Sequence, residues 1–454
     1  MPNLKIAWIA GLLLALGSAA WAQPTPPTLP AGVGLTQPLS LEACVAVALA
    51  ASPQLAVAGQ QVRSAQASVT TARAQGLPQL FANGQVSTSG GDQTGSTLGG
   101  SRGARTSSQL GLSLSESFYQ SGRSQRIRAT EAQAAGSRHG LTDTRRTLIL
   151  AVATDYYTAL AAQSLAQVAE RAVEASTQHL AAAQARIAAG VAAPADRYPF
   201  DVELQSAVVA SIAARNRVRT TLNVLKGTMG LAAETPLQLS DSLGRPALPT
   251  DLEVLRQQAY LQRPDVLRAQ SQVDAARLSR EVARLQEGPV LNVTASDDYG
   301  LTDGNLGNGW QGQVAVSLPI FDGGASRAAT DSADAAWRIA QENLRQTELG
   351  VSQDVENNYL DASTAYAEID AAQTALKAAQ VNAAAAQERY TAGVATVIDV
   401  TDAEQKLRQA ETDLITALYT YNTSLIALQA AVGVPQLTPP TPPTPPTPAT
   451  PPAG

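Results

Sequence analysis

Two hydrophobic rhythms run along this chain of 454 residues, and each predicts a different element. In the first, apolar positions recur at heptad spacing. Ile369, Leu376, Ala383 and Tyr390 follow one another in this way, with Ala372, Ala379 and Ala386 between them. Earlier, Ala166, Val173, Leu180 and Ile187 do the same, accompanied by Ala169, Ser176 and Ala183. Apolar a and d positions form a seam on one helix face, the pattern of a coiled coil. Alanine at so many seam positions lets helix axes approach closely. From Gly122 to Ala189 the pattern predicts a helix of roughly 65 residues, about 100 Å long at the usual rise per residue. A compact domain has no room for such a helix, whereas a stalk or a tube wall does.

The second rhythm alternates. Leu80, Ala82 and Val86 share one face of a segment whose other face carries Asn83, Gln85 and Ser87. Leu110, Leu112, Leu114 and Phe118 oppose Gln109, Ser113, Ser115 and Ser117. Leu291, Val293 and Ala295 oppose Asn292, Thr294 and Ser296, and Val314, Val316, Leu318 and Ile320 oppose Gln313 and Ser317. The predicted strands span about 80–89, 108–119, 290–299 and 311–321. Alternation of this length suits a tilted strand with one face to lipid and one to water, and equally an ordinary half-buried strand. Little other apolar surface exists to bury four such faces, which favours the membrane. Tyr119 and Phe321 at one end, with Tyr299 and Trp310 near a loop, are placed for interfacial girdles. Glu116 falls on the apolar face where its counterpart is Leu318, so either it lies near a headgroup zone or the strand register differs there.

Four strands leave two open edges, and lipid cannot satisfy unpaired backbone groups. The smallest membrane barrels have about eight strands. A membrane reading therefore requires several copies of the chain to pair edge to edge.

The chain is also written twice. Leu41 matches Leu252, Ala48 matches Ala259 and Pro53 matches Pro264; later, Gly190 matches Gly393, Asp196 matches Asp399 and Gly230 matches Gly433. One copy occupies 40–239 and the other 252–435, joined by a linker at 240–251. Each reads as a helix broken by proline, two strands around a polar loop, a very long helix, a glycine turn and a return helix.

Composition narrows the chemistry. Hydrophobic residues make up 44% but aromatics only 4%, so thick cores are hard to build and long, closely packed helices are not. A net charge of −6 without a basic block gives no footing for nucleic acid. Cys44 stands alone on an apolar helical face and reads as a small core residue. His139 and His179 are the only histidines, too few and too far apart for a histidine-rich metal site, and no cofactor is implied. No nucleophile–histidine arrangement or phosphate loop appears; GDQTGSTLGGSRG at 91–103 lacks the GK[ST] signature and reads as an exposed loop, not an active site. The chain is not expected to be an enzyme.

Residues 1–22 read as a signal peptide, with Lys5, an apolar run from Ile6 to Leu16, and Ala20-Trp21-Ala22 as the cleavage site. No cysteine follows that site, so a lipid anchor is not expected. The Pro-rich segment 23–39 and the Pro/Thr-rich tail 436–454 read as extended chain outside the folded body.

VSLPIFDGG at 316–324 entering a long helix and RYTAGVATVIDV at 389–400 have weaker first-copy equivalents, SFYQSG at 117–122 and RIAAGVAAPAD at 186–196. Taken in order and occurring twice, these stretches resemble the TolC family of outer-membrane channel proteins over roughly residues 40–435. The resemblance implies a mainly α fold with a membrane β-barrel. Each chain of a homotrimer would give four strands to one shared barrel and its helices to a coiled-coil tunnel in the periplasm. It implies an exit duct of a tripartite efflux pump or type I secretion system, working with a periplasmic adaptor and an inner-membrane pump or ABC transporter. An envelope coiled-coil scaffold or adhesin is the competing reading.

The resemblance also assigns sites. Gly190, Val191, Gly393 and Val394 would form the hairpin tips and touch the adaptor. Gly122, Asp322, Gly323 and Gly324 would turn strand into helix. Asp196, Tyr390, Asp399 and Asp402 would narrow and gate the periplasmic aperture. The aspartates have a second reading as helix N-caps, since each follows soon after a turn. At Asp196, behind Pro194, the two readings compete evenly. Ala395 stands where some relatives carry a basic residue, so an aspartate–arginine latch there has no partner.

Overall fold

A computed structural model describes residues 38–89, 105–249, 251–302 and 305–433. The expected signal peptide, the glycine-rich loop at 91–103 and the Pro/Thr-rich tail lie outside the described residues. The first repeat runs α1 (Leu41–Ala51), α2 (Pro53–Ala74), β1 (Gln79–Ser89), β2 (Arg105–Gln120), α3 (Arg123–Ala188), a 3-10 turn (Pro194–Asp196) and α4 (Arg197–Thr228). The second runs α5 (Leu252–Gln262), α6 (Pro264–Arg284), β3 (Val290–Thr302), β4 (Asn305–Ser317), α7 (Ala325–Thr391) and α8 (Val397–Val432).

Proline sets the break in both repeats. Pro53 and Pro264 each occupy the first turn of the second helix, where a missing N–H costs nothing. The residue before each closes the preceding helix: Ser52 donates to the Ala48 carbonyl and Arg263 to that of Ala259, both at 2.9 Å. Between α1 and α2 the chain bends by 47°.

The long helices α3 and α7 contain 66 and 67 residues, about 100 Å each. Each folds back on a shorter partner, α3 on α4 and α7 on α8, and the two hairpins meet where α3 packs on α8. Alanine fills much of these seams: Ala159, Ala183, Ala362, Ala365 and Ala386 are all buried. The bulkier cores sit where the short helices add a layer. Val152, Tyr156 and Leu225 pack with Cys44 and Val47 of α1, and Val351, Val355 and Leu428 pack with Ala259 and Val266. Cys44 is fully buried, which pushes its thiol up to about 12. The linker between repeats is strapped to the second hairpin. Tyr421 donates to the Pro246 carbonyl at 2.6 Å, and Arg245 binds Asp370 through both nitrogens while lying 3.9 Å from the Tyr366 ring centre.

The strands form one antiparallel sheet in the order β1-β2-β3-β4, so β2 and β3 join the repeats and β1 and β4 are its edges. Leu80, Leu114, Ala295 and Gly312 stand in one row across it, and Val293 stands beside Val314. This apolar face is covered by nothing among the described residues: Val86, Leu112 and Val314 are 73%, 53% and 69% exposed.

The sheet corrects the expected strands in two places. β4 spans Asn305–Ser317, not 311–321, so Leu318, Ile320 and Phe321 lie beyond its end. The ladder stops there because Ser317 pairs with Val290, the first residue of β3, directly behind Pro289. In β2 the register shifts between Ser117 and Tyr119, leaving Phe118 as the extra residue of a bulge. Tyr119, not Phe118, therefore stands opposite Leu291 in line with the apolar face. Glu116 stands opposite Val293 on that face, and Asp297 opposite Leu112 and Trp310 puts a second carboxylate there. Within one chain these strands form a small open sheet, not a closed barrel.

Candidate functional site: the tips of the two helical hairpins

Both hairpins turn by the same device. At the end of α3, Gly190 donates to the Ile187 carbonyl and Val191 to that of Arg186, each at 3.0 Å. At the end of α7, Gly393 donates to Tyr390 at 3.0 Å and Val394 to Arg389 at 2.9 Å. These nested pairs are Schellman caps, which need a left-handed residue at the glycine position. Gly190 and Gly393 supply it with φ of 74° and 80°. The following valines are left facing solvent, Val191 at 65% and Val394 at 76% exposure.

The aspartates after the turns start the return helices. The Asp399 carboxylate accepts from the Thr396 backbone N–H and hydroxyl, both at 2.7 Å, while the Thr396 hydroxyl accepts from the Asp399 N–H. This is a capping box. Hydrogen bonds from Thr396 hold the Asp399 carboxyl below its ordinary range. Asp196 repeats half of the arrangement, accepting from the Ala193 N–H at 3.1 Å. Ala193 has no side-chain oxygen to complete the box. Asp402, one turn into α8, is exposed and takes no part in the cap.

Tyr390 is held in the seam between the two hairpins. It is 7% exposed, packed with Ala183, Phe200 and Val400 in a cluster drawn from all four long helices. Its ring meets Phe200 edge-on at 6.0 Å. Arg186, in the last turn of α3, lies over the same ring at 4.8 Å and donates to the Tyr390 carbonyl at 2.9 Å. Arg186 Nη1 also lies 3.4 Å from the Thr391 carbonyl. A cation at the open carbonyls of a helix C-terminus is favourable twice over, through hydrogen bonding and through the helix dipole. The two hairpins are thus clasped by an arginine from the first and a helix end from the second.

Further up the seam, Arg408 of α8 pairs with Glu203 of α4 at 3.0 Å, and Glu404 of α8 lies 3.7 Å from His179 of α3. Beside them a cleft of about 970 Å³ opens between α3, α4 and α8, lined by Val168, Tyr198, Val202 and Arg408 among others. Sequence reasoning missed Arg186, Phe200, His179, Glu203, Glu404 and Arg408. A basic residue in the last turn of α3 was a readable signal; the partners about 200 residues away were not.

At the opposite ends of the long helices, Gly122 and Gly324 cap α3 and α7 in left-handed conformation, with φ of 79° and 91°. Asp322 fixes the second turn, accepting from Gly324 N–H at 2.9 Å and Ser326 N–H at 2.7 Å, with Gly323 between them also left-handed. In the first repeat Arg123 serves instead, donating to the Ser117 carbonyl.

The model of the outer membrane efflux protein family matches residues 45–231 and 255–434, one stretch in each repeat. The outer membrane protein TolC of Vibrio cholerae is 24% identical over 446 residues, covering 95% of this chain and 96% of that protein. The cation efflux system protein CusC of Escherichia coli is 26% identical over 229 residues, 48% of each chain. Among solved structures, a CusC structure superposes with a TM-score of 0.75 at 21% identity, covering 91% of this chain and 97% of that one. The open-state MtrE outer-membrane channel of Neisseria gonorrhoeae gives 0.74 at 21% identity, with the same coverage.

Proposed function

The chain belongs to the outer membrane efflux protein family, a family of channels rather than enzymes, and from that premise we propose that it is the exit duct of a tripartite pump. Three copies complete one barrel, each giving β1–β4. The long hairpins form a periplasmic tunnel about 100 Å deep. The observation that carries this reading is the open sheet: an uncovered apolar face bounded by two edge strands, β1 and β4, that pair on one side only. In lipid those edges need partners. A neighbouring copy offers a complementary edge, and closure around a three-fold axis removes all of them.

The working partners are a periplasmic adaptor and an inner-membrane pump or ABC transporter, with the adaptor meeting Gly190, Val191, Gly393 and Val394. At the tips, Asp196, Asp399 and Asp402 from three chains form the carboxylate lining of the aperture. Asp196 and Asp399 serve as helix caps at the same time. Tyr390 contributes from inside the protomer, as half of the Arg186 clasp that sets hairpin spacing. Export uses residues 1–22, removed after Ala22, without lipidation. Fractionation joined to planar-bilayer recording tests the reading: the protein is expected in outer membranes, released by detergent, and conducting. Release by salt or alkali without detergent would reject it.

A further inference from the structure

One of the chain's two histidines, His179, lies inside the seam between the hairpins, with its side chain 12% exposed. Its ring stacks on Phe200 with centroids 6.0 Å apart and planes 21° from parallel. Phe200 in turn meets Tyr390, and Arg186 covers Tyr390. The result is one ladder of rings, His179–Phe200–Tyr390–Arg186, that begins at a titratable group and ends at the clasp. It draws a rung from α3, α4 and α7, and α8 faces it with Glu404.

The charges around His179 are unevenly matched. Glu203 of α4 has Arg408 of α8 at 3.0 Å, and Arg186 of α3 is engaged with the carbonyls of α7. Glu404 of α8 faces His179 Nε2 at 3.7 Å. Its carboxyl is held below the ordinary range by His179 first, and also by Arg408. Polar satisfaction in this seam is incomplete. Ser176 Oγ, His179 Nε2, Arg186 Nε, Glu203 Oε2 and Gln387 Oε1 are all buried without a hydrogen-bond partner. Unpaired buried polar atoms cost free energy, so the seam gains whenever one of them finds a partner.

We infer that His179 is a positioning residue through which proton concentration sets the grip between the two hairpins. This rests on the gate reading of the tips. Protonated, the imidazolium donates from Nε2 to the Glu404 carboxylate, and the ring ladder is pinned at its upper end. Neutral, it leaves a half-buried carboxylate without its charged partner, and the stack above the Arg186 clasp slackens. Glu404, held low, stays ionised in mild acid. The charged pair exists only while the imidazole is protonated and Glu404 is not; strong acid removes it, when Glu404 takes up a proton. The paired state favours closed tips.

The test uses the full chain reconstituted in lipid vesicles, spin-labelled at the exposed positions Val191 and Val394. Distance distributions between the labels are measured from about pH 5.5 to about pH 8, across the imidazole range. A narrow short-distance population at the acid end should give way to a broad one at the alkaline end. The ratio of the two should change by about tenfold, the scale of one charge-assisted hydrogen bond. His179→Gln should show the broad distribution at every pH, and Glu404→Gln should remove the pH response. His179→Arg, charged throughout and planar enough to stack on Phe200, should keep the narrow distribution into alkali. A pH-invariant wild type, or a wild-type response retained in His179→Gln, would overturn the inference. If His179→Gln does not fold, Glu404→Gln decides it alone. Bilayer conductance of the same preparations reports separately on the channel: pH-dependent spacing without conductance rejects the channel and keeps His179 as the sensor, and conductance with invariant spacing does the reverse.

Discussion

Arg186 and Tyr390, 204 residues apart in sequence, join the two hairpins: the guanidinium donates to the tyrosine carbonyl at 2.9 Å and lies 4.8 Å over its ring. The cation belongs to the first repeat and the acceptors to the C-terminal end of α7. With Ala395 in the turn of the second hairpin, the clasp here needs no carboxylate. Removing the arginine loses a charged hydrogen bond and a cation–π contact, together about 2 kcal/mol. Arg186→Ala is expected to raise single-channel open probability by more than about tenfold, the equivalent of that energy. Arg186→Lys should recover part of the loss. Unchanged gating in Arg186→Ala would remove the clasp from the mechanism.

The aspartates can be separated by what each already does. Asp399 is committed to the Thr396 cap and Asp402 is not. Asp402→Asn should therefore weaken divalent-cation block in planar bilayers without altering thermal stability. Adding Asp399→Asn should weaken block further and loosen the first turn of α8. Because the Asp399 carboxyl is held low, its cap contributes stability above the ordinary carboxylate range and loses it as pH falls through the depressed value. Acid titration of Asp399, followed by side-chain NMR in selectively labelled protein, should show that depressed midpoint. Equal block in wild type and the double variant would leave the carboxylates as caps alone.

The hairpin glycines make a prediction about backbone alone. A Cβ added at Gly190 or Gly393 would meet nothing within 4 Å, so only the left-handed conformation resists substitution. Gly393→Ala should cost about 1–2 kcal/mol by thermal unfolding. Gly227, helical within α4 and equally open, is the control: Gly227→Ala should stabilise by about 0.5–1 kcal/mol.

Opposite faces of β2 should differ in tolerance to charge. Leu112→Arg places a cation on the apolar face, at a cost of about 2–4 kcal/mol near a bilayer midplane. Ser113→Arg, one residue on, places it on the polar face and should be carried normally. Outer-membrane levels of the two variants, compared by quantitative immunoblot, check this. Equal levels would mean that the sheet does not face lipid.

Much of this architecture is written locally and could be read. The heptad through Ile369, Leu376, Ala383 and Tyr390 marks the seam of a helix that does run Ala325–Thr391. Alternation found the strands because a pleat repeats every two residues. What it missed has physical causes. A bulge at Phe118 shows only once β2 is paired with β3. The start of β4 lies among Gly307, Gly309 and Asn308, residues that read as loop until a neighbouring strand supplies their hydrogen bonds. The site was legible as a pair of turns with aspartates behind them. Its clasp was not, because Arg186 and Tyr390 come from different repeats and share no local pattern.

The channel reading depends on copies of the chain closing one another's sheets. Cysteine pairs placed on β1 and β4, at residues such as Gln85 and Gln313, report this directly when oxidised in intact outer membranes. Covalent ladders that stop at three chains are expected, with a detergent-extracted species of trimer mass. A folded monomer that stays in the aqueous fraction and forms only intrachain disulfides would contradict that reading.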